Sequence, residues 1–346
     1  MRYLEFLESE LRPQKKSRKA RPFKVLDLFA GCGGLALGFE AAGFETVGYE
    51  MLPDACNTYA SNLSGQCFTQ VLKPGQELTD QADVVIGGPP CQPFSVIGNQ
   101  RGKHDERDGF PAFLSAVERY QPQLVMFENV RGMLYRNLAY FESIVSQLRA
   151  LGYLVEWKLL NAVEFGVPQK RERLFVIGHR GEWKFPKPLA LDSYYSAGDA
   201  LGDLAFAVKP ETRFLTKSMD AYVAKYERAS SCVRPRDTHL DEPSRTVTCR
   251  NLNGATGDML RVRLPDGRRK RLSVREGARL QSFPDWFIFS GAEGSQFNQV
   301  GNAVPPLLAK AMAKAVLSYL QSSTRLTARD IAKSNKCQQT LINFVN

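Results

Sequence analysis

The first 180 residues alternate between short apolar runs and amphipathic stretches. Runs typical of buried β-strands occur at residues 23–30, 44–50, 82–88, 123–129, 154–162 and 173–180. Helical patterns lie between several of them, at 35–43, 54–63 and 110–120, and Asp54 is the expected N-cap of the second. This alternation predicts an α/β fold with a doubly wound parallel sheet, in which ligands bind at the C-terminal ends of the strands.

The pattern changes after residue 183. Residues 184–270 contain Pro and Gly breaks, scattered arginines and no regular alternation, which indicates a small inserted domain. Helical patterns return at 274–281 and 305–321, and the second is predicted to pack on the first domain. The predicted organisation is a basic N-terminal arm at 1–22, a large domain at 23–183, the insertion at 184–270, a return to the large domain at 271–322 and a C-terminal tail at 323–346.

Positive charge is concentrated in the insertion. The chain of 346 residues carries 46 Lys and Arg against 36 Asp and Glu, a net charge of +10. Residues 204–271 hold fifteen basic and eight acidic side chains. A basic segment on a nearly neutral scaffold is typical of a protein that binds a polyanion such as nucleic acid. A basic surface that only maintains solubility is the simpler alternative.

Cysteine and histidine usage excludes several classes of protein. The seven cysteines form no CxxC pair, and the three histidines are far apart in the sequence, so neither a disulfide framework nor a metal site is expected. No apolar run approaches the ~20 residues that span a bilayer. We therefore expect an intracellular protein with no metal and no membrane segment.

A glycine-rich turn follows the first predicted strand, with the sequence DLFAGCGG at 27–34. Glycines let the backbone approach a ligand closely, and the N-terminus of the following helix favours negative charge. Glu50 ends the second strand, where an acidic side chain can bind ribose hydroxyls. A purely structural turn and a solvated carboxylate are the alternatives.

Three further motifs carry candidate chemistry. Cys91 lies in GGPPCQPFS at 87–95, where prolines hold a nucleophile in place, although a lone cysteine is more often a small core residue. Glu128 ends an apolar strand, where burial would raise its pKa and let it share a proton, unless it only caps the following turn. In QKRER at 169–173, Arg171 and Arg173 alternate onto one face and could clamp a phosphate or a base oxygen; a solvated charge run is the alternative.

Taken together, these motifs resemble those of the DNA (cytosine-5) methyltransferases. The resemblance covers 23–180 and 243–320 and rests on DLFAGCGG, GGPPCQPFS, FENV, QKRERLFVIG, RLSVREGARLQSFPDWF and QVGNAVPP, in the order of the family. It implies a Rossmann-like domain that binds S-adenosyl-L-methionine (AdoMet), with S-adenosyl-L-homocysteine as product and no metal. The insertion would then be the target-recognition domain.

The resemblance also implies roles for individual residues. Cys91 would be the nucleophile, Glu128 the partner of the cytosine N3 and amino group, and Arg171 and Arg173 the arginines that position the base and orient the site. The residues implied to contact AdoMet are Asp27, Phe29, Ala30, Gly31, Cys32, Gly33, Gly34, Glu50, Met51, Gln70, Val71, Pro89, Asn302 and Ala303. Two of them depart from the family pattern, since Gln70 stands where an Asp is usual and Met51 where an aromatic residue is common.

The expected partner is double-stranded DNA, bound by a monomer in the bacterial cytoplasm at the nucleoid. The residues expected to contact DNA are Ser95, Arg234, Arg236, Arg245 and Arg250. The compact length is typical of the modification enzyme of a restriction-modification system. A tRNA cytosine-5 methyltransferase and a catalytically silent DNA-binding relative are the two alternatives, and the intact motifs argue against the second.

Overall fold

The computed structural model describes residues 2–12, 22–78, 81–90, 108–190, 192–231, 236–254 and 257–322. Its centre is a seven-stranded sheet in the order β3-β2-β1-β4-β5-β7-β6. The strands are β1 (Lys24–Leu28), β2 (Glu45–Glu50), β3 (Gln66–Thr69), β4 (Val84–Gly87), β5 (Leu124–Val130), β6 (Leu154–Asn161) and β7 (Glu172–His179). The sequence pattern predicted six of them and missed β3, whose four residues are mostly exposed.

The sheet is mixed rather than parallel throughout, so this part of the prediction was wrong. Strands β1 to β5 pair in parallel, whereas β7 runs antiparallel to both β5 and β6. Ten residues separate β6 from β7, which is short for the crossover that two parallel neighbours require. The reversal places the start of β7 beside the C-terminal end of β5, where Arg173 pairs with Val130.

Eleven α-helices are found in the described ranges. They are α1 (Tyr3–Leu11), α2 (Gly34–Ala41), α3 (Pro53–Asn62), α4 (Phe110–Tyr120), α5 (Leu138–Ala150), α6 (Ala197–Leu201), α7 (Lys217–Ala229), α8 (Cys249–Asn253), α9 (Val274–Leu280), α10 (Glu293–Asn302) and α11 (Pro306–Gln321). Asp54 is not an N-cap as predicted: α3 starts at Pro53, and Asp54 lies in its first turn. In the part of the chain that the structure covers, no helix combines the length and apolarity that crossing a membrane requires.

Hydrophobic side chains pack on both faces of the sheet, as the apolar strands predict. Ile86 and Met126 point to one face with α2 and α11, and Val85 and Phe127 point to the other with α4 and α5. Helices α2 and α11 touch at Gly38, where a Cβ atom would lie 2.4 Å from the backbone nitrogen of Lys310. The prediction that residues 305–321 pack back on the first domain is therefore confirmed.

The N-terminal segment is not simply a basic arm. Residues 3–11 form α1, which the sequence analysis missed, and Tyr3, Leu7 and Leu11 are buried in the main core. Their spacing of four residues places them on one helix face. The Nζ of Lys310 in α11 lies 2.9 Å from Oε2 of Glu10 in α1. The basic residues 13–21 lie outside the described ranges.

Residues 192–271 form short helices and a hairpin of β8 (Arg261–Arg263) and β9 (Arg269–Arg271). Leu215, Val223 and Met259 make a small local cluster. Leu201 and Val247, by contrast, belong to the same core as the large sheet. The domain boundaries given above remain a prediction.

Candidate active site

The turn between β1 and α2 has an unusual backbone. Phe29, Gly31 and Gly33 all have positive φ angles, of 58°, 56° and 88°. Gly33 caps α2 and packs so tightly that a Cβ atom would lie 2.6 Å from the Leu63 side chain. Glycine at 31, 33 and 34 therefore leaves three positions at the turn into α2 without a side chain, so a ligand can approach the backbone closely there.

Two acidic side chains lie behind this turn. The carboxylate of Glu50 accepts hydrogen bonds from the N–H groups of Gly31 and Leu52, both at 2.9 Å. Asp27 is buried, and neither of its carboxylate oxygens has a hydrogen-bond partner among the described residues. Burial, with a contribution from Glu50, raises the pKa of Asp27 well above its usual value. An unpartnered buried carboxyl group beside a glycine-rich turn is suited to a polar ligand.

Cys32 differs from its neighbours in this turn. Its side chain is buried, with Sγ 3.7 Å from the carbonyl oxygen of Gln299 in α10. Burial raises the pKa of this thiol to about 12. Cys32 is therefore a neutral packing residue at neutral pH, and only its backbone faces the turn.

Met51, Gln70 and Val71 lie together at the ends of β2 and β3. Glu50 pairs with Thr69, and the Gln70 N–H donates to the carbonyl of Glu50 at 2.8 Å. Met51 and Val71 are more than half exposed, at 58% and 57%. Exposed apolar side chains beside an acidic strand end offer a surface on which a planar ring could pack.

The segment before Cys91 is held beside Glu128. Gly87 of β4 pairs with Phe127 of β5, and the side-chain amide of Asn129 donates to the carbonyl of Pro89 at 3.1 Å. The N–H of Gly109 also holds this segment, by donating a hydrogen bond to the carbonyl of Pro90 at 3.0 Å. Cys91 and Ser95 themselves lie outside the described residues.

Glu128 and Arg173 form a buried ion pair. The Nε atom of Arg173 lies 2.9 Å from Oε1 of Glu128, and the two side chains are only 14% and 11% exposed. Burial raises the pKa of Glu128, and the charges of Arg173 and Arg171 offset only part of that rise. The sequence-based expectation of a buried carboxyl group with a raised pKa is confirmed. A protonated Glu128 can donate a hydrogen bond at neutral pH more readily than an ordinary glutamate.

Arg171 has a different environment from the one that its alternation with Arg173 suggested. Its guanidinium is enclosed and donates to the carbonyls of Val247 at 2.7 Å, Ala303 at 3.0 Å and Gly301 at 3.3 Å. Burial and the charge of Arg173 lower the pKa of Arg171 to about 9, which leaves it charged at neutral pH. Arg171 therefore does not clamp a phosphate. It joins the start of β7 to the end of α10.

Two buried glutamines complete this junction, and the sequence analysis assigned them no role. The side-chain oxygen of Gln169 accepts from the N–H of Val247 at 2.7 Å, and its amide donates to the side-chain oxygen of Gln281 at 2.8 Å. The amide of Gln281 donates to the carbonyl of Val300 at 2.6 Å. Their proximity in space could not be read from the sequence, because Gln281 lies 112 residues after Gln169.

The junction also orders Asn302 and Ala303. Asn302 is the last residue of α10, and Ala303 receives hydrogen bonds from both Arg171 and Gln281 at its carbonyl. The side-chain oxygen of Asn302 accepts a hydrogen bond from the thiol of Cys249, the first residue of α8, at 3.0 Å. No sequence signal marked Cys249 as part of the site.

The arginines expected to contact DNA fall into different environments. Arg245 donates to Oδ1 of Asp258 at 2.5 Å, and Arg236 donates to the hydroxyl of Tyr226 at 2.9 Å and lies 3.8 Å from the same aspartate oxygen. Both side chains are partly buried within the insertion, and their contact with DNA stays a prediction. Arg250 is exposed and has no ion pair in the described ranges. Arg234 lies outside them.

Several arginines of the insertion form ion pairs within it. Asp237 is 7% exposed and contacts the guanidinium groups of Arg261, Arg263 and Arg269 at 2.6, 3.3 and 3.2 Å. Glu227 adds a contact of 3.1 Å to the fully buried Arg261. Part of the segment's basic side chains therefore lies inside it, with Arg261 withdrawn from solvent altogether.

Comparison with known proteins identifies the family. The family model "C-5 cytosine-specific DNA methylase" matches residues 23–318. The chain belongs to this family. It is 58% identical to the type II methyltransferase M.AplI of Arthrospira platensis, over 92% of each chain, and 37% identical to M1.HphI of Haemophilus parahaemolyticus, over 84% of this chain and 86% of that one.

Solved structures show the same fold. The methyltransferase EhMeth of Entamoeba histolytica superposes with a TM-score of 0.67 at 16% identity, over 88% of this chain and all of that chain. A mutant of DNMT2 from Spodoptera frugiperda superposes with a TM-score of 0.66 at 16% identity, over 85% and 99%. At this level of identity the likeness concerns the fold alone. It agrees with the predicted Rossmann-like methyltransferase domain.

Proposed function

We propose that this chain methylates C5 of a cytosine that is flipped out of duplex DNA, through a covalent bond between Cys91 and C6 of the base, with AdoMet as methyl donor. The observation that carries the proposal is the buried Glu128–Arg173 pair beside the segment that leads to Cys91. Membership of the cytosine-specific family supports the choice of base and position.

The residues of the turn and of the neighbouring strand ends fit AdoMet. The unpartnered Asp27 and the Glu50 carboxylate provide acceptors for the amino group and the ribose hydroxyls, since each carboxylate oxygen of Glu50 keeps a second lone pair. Met51 and Val71 can flank the adenine ring, and Asn302 lies at the edge of the same region. When bound, AdoMet supplies a methyl group on a positively charged sulfur.

The order of bond changes follows from the chemistry of cytosine. The thiolate of Cys91 forms a bond to C6, which breaks the C5–C6 double bond and makes C5 a nucleophile. Glu128 donates a proton or hydrogen bond at N3, which stabilises the charge that develops on the ring. C5 then gains the methyl group, whose bond to the AdoMet sulfur breaks so that S-adenosyl-L-homocysteine is left. A base removes the C5 proton, and a proton donated to N3 returns to Glu128. The electron pair of that C–H bond restores the double bond, and the thiolate leaves.

Arg173 and Arg171 support the proposed reaction in different ways. Arg173 holds Glu128 in place through its Nε atom, while its Nη1 atom donates to the carbonyl of Glu172 at 2.8 Å. Arg171 acts as a positioning residue, because its contacts are to backbone carbonyls on either side of the site. Base flipping costs a few kcal/mol, which contacts to the displaced nucleotide and the DNA backbone must offset.

We further infer that the chain modifies a specific DNA sequence, because the relatives that it matches are named type II methyltransferases. Bisulfite sequencing of DNA from cells that express the chain would identify the site. An assay that offers duplex DNA and tRNA separately tests the choice of nucleic acid. Methylation of tRNA alone would contradict the proposal.

The covalent step has a direct test. In a duplex whose target cytosine carries fluorine at C5, the final proton removal cannot occur, so the Cys91 adduct should accumulate and survive denaturing electrophoresis. Cys91→Ser should form no adduct and should transfer no methyl group, because a hydroxyl is far less ionised than a thiol at neutral pH. Cys67→Ser, a change of another cysteine, is the matched control and should form the adduct. Adduct formation by Cys91→Ser would overturn the assignment.

A further inference from the structure

A polar cleft of about 450 Å³ opens beside Arg173. It lies between the C-terminal end of β5, the start of β7 and the strand-like segment at residue 246. The side chains that define it are those of Val130, Arg131, Lys170, Glu172, Arg173 and Thr246. The hydroxyl of Thr246 donates to the carbonyl of Lys170 at 2.7 Å, so the two walls of the cleft are joined at its base.

Two exposed ion pairs stand at the cleft. The Nη1 atom of Arg131 lies 2.9 Å from Oε2 of Glu172, with 55% and 43% of the side chains exposed. The Nζ atom of Lys170 lies 3.1 Å from Oε2 of Glu242, with 57% and 34% exposed. Each cation that faces the cleft is therefore held by a carboxylate in the free protein.

These pairs differ from the buried one that they adjoin. The Glu128–Arg173 pair is withdrawn from water, and removing either partner would leave a buried charge. The outer pairs are solvated, and such pairs contribute little to stability. A phosphate can replace a carboxylate on Arg131 at small cost, because guanidinium binds phosphate in the same bidentate manner.

The position of the cleft indicates which phosphates reach it. A flipped nucleotide stays joined to its neighbours, so its flanking phosphates lie at the mouth of the pocket that holds the base. Arg173 lines both the proposed base site and the cleft. We propose that the cleft binds backbone phosphates next to the target cytosine, and that Glu172 and Glu242 occupy Arg131 and Lys170 until DNA displaces them. This inference rests on the proposed function.

Glu172→Gln provides the first test, by fluorescence anisotropy of labelled duplexes with and without the mapped site. Arg131 then binds phosphate without first breaking an ion pair, so we expect DNA binding to tighten about two- to fivefold. The effect should be equal on both duplexes, because phosphate contacts carry no sequence information. The slope of log K against log salt should steepen by up to about one unit. The unpaired arginine associates with ions from solution, and DNA binding displaces them. Arg131→Ala should weaken binding and reduce the slope by about one unit.

Glu182→Gln is the matched control. Glu182 forms a surface pair with Lys184 at 2.8 Å, with 69% and 81% of the side chains exposed, and the change in net charge is the same. It follows the C-terminal end of β7, which lies beside the N-terminal end of β5, where His179 pairs with Leu124. The cleft lies at the other end of these two strands. We expect no change in DNA affinity beyond a small long-range effect. In an Arg131→Ala background, Glu172→Gln should have no larger effect than Glu182→Gln.

The outcomes separate this inference from the proposed function. Calorimetric AdoMet affinity should be unchanged in Glu172→Gln, which shows that the variant is folded. Equal DNA affinities for Glu172→Gln and Glu182→Gln, with a wild type that methylates duplex DNA, would overturn the phosphate cleft alone. A wild type that methylates no DNA would overturn the proposed function itself.

Discussion

At the scale of single residues, Glu128 decides the chemistry of the site. It lies at the end of β5 with its carboxyl group buried, and burial raises its pKa despite two neighbouring arginines. An ordinary glutamate is almost fully ionised at neutral pH and donates no proton. The raised pKa extends the protonated form, which the proposed mechanism requires at N3, to higher pH.

Glu128→Gln should slow methyl transfer about 10²- to 10⁴-fold in single-turnover experiments, the usual range for a general acid. The amide can keep a hydrogen bond but cannot shuttle a proton. Because the protonated fraction of Glu128 falls as pH rises through its raised pKa, the advantage of wild type over the variant should decline toward high pH. DNA affinity should change far less than the rate.

Glu118→Gln is the control for this measurement, since Glu118 is exposed on α4 and the chemical change is identical. It should leave the rate at the wild-type value. A Glu128→Gln rate equal to that of Glu118→Gln would show that Glu128 has only a structural role.

At the scale of secondary-structure elements, α1 is a stabilising element remote from the chemistry. It packs its buried face on the core beside α11, and Lys310 joins the two helices through Glu10. Glu128, the proposed proton donor, lies by contrast at the C-terminal end of β5. Stability and activity should therefore respond separately to changes in α1.

Leu7→Ala should lower the free energy of unfolding by about 2–5 kcal/mol, because Leu7 is 1% exposed and its truncation leaves a cavity. Chemical denaturation measures the loss, and Ser9→Ala on the exposed face of the same helix should stay within about 0.5 kcal/mol of wild type. At a temperature where both variants are folded, their single-turnover rates should match. A Leu7→Ala rate far below that of Ser9→Ala would mean that α1 shapes the active site.

At the scale of the whole molecule, the insertion and the catalytic body share one core. Ala197, Leu201, Val247 and Leu260 are buried with residues of the large sheet. Arg171 and Gln169 also hold the backbone of Val247 where the chain returns from the insertion. The insertion, where DNA recognition is predicted, and the catalytic body are therefore connected through a buried junction.

Exchanging 184–270 for the corresponding segment of a family member, with these four core residues retained, should change which cytosine is methylated. The reaction should stay the same, because every residue of the proposed chemistry lies outside the segment. Bisulfite sequencing of a plasmid carried with the hybrid measures the site, and calorimetry should give an unchanged AdoMet affinity. A hybrid that still methylates the parental site would place recognition elsewhere in the chain.

The sequence by itself determined the elements that depend on local patterns. Apolar periodicity predicted six of the seven strands of the sheet and the helices α2, α3, α4, α9 and α11, because a buried strand or an amphipathic helix is visible within a short window. It missed α5, which covers one face of the sheet. It also identified Glu128 as a carboxyl group in an apolar strand, and its raised pKa followed from that burial. The motifs and their order pointed to the family that the comparisons identify.

The tertiary structure alone decided how distant residues meet. The reversed direction of β7 brings Arg173 to Glu128. In a fully parallel sheet the start of β7 would lie beside the start of β5, far from Glu128. The guanidinium of Arg171 points into a buried junction with residues more than 70 positions away, and Arg245 pairs with Asp258. Hydrophobic periodicity reports whether a residue is buried. It contains no information on which charge, from another part of the chain, lies beside it.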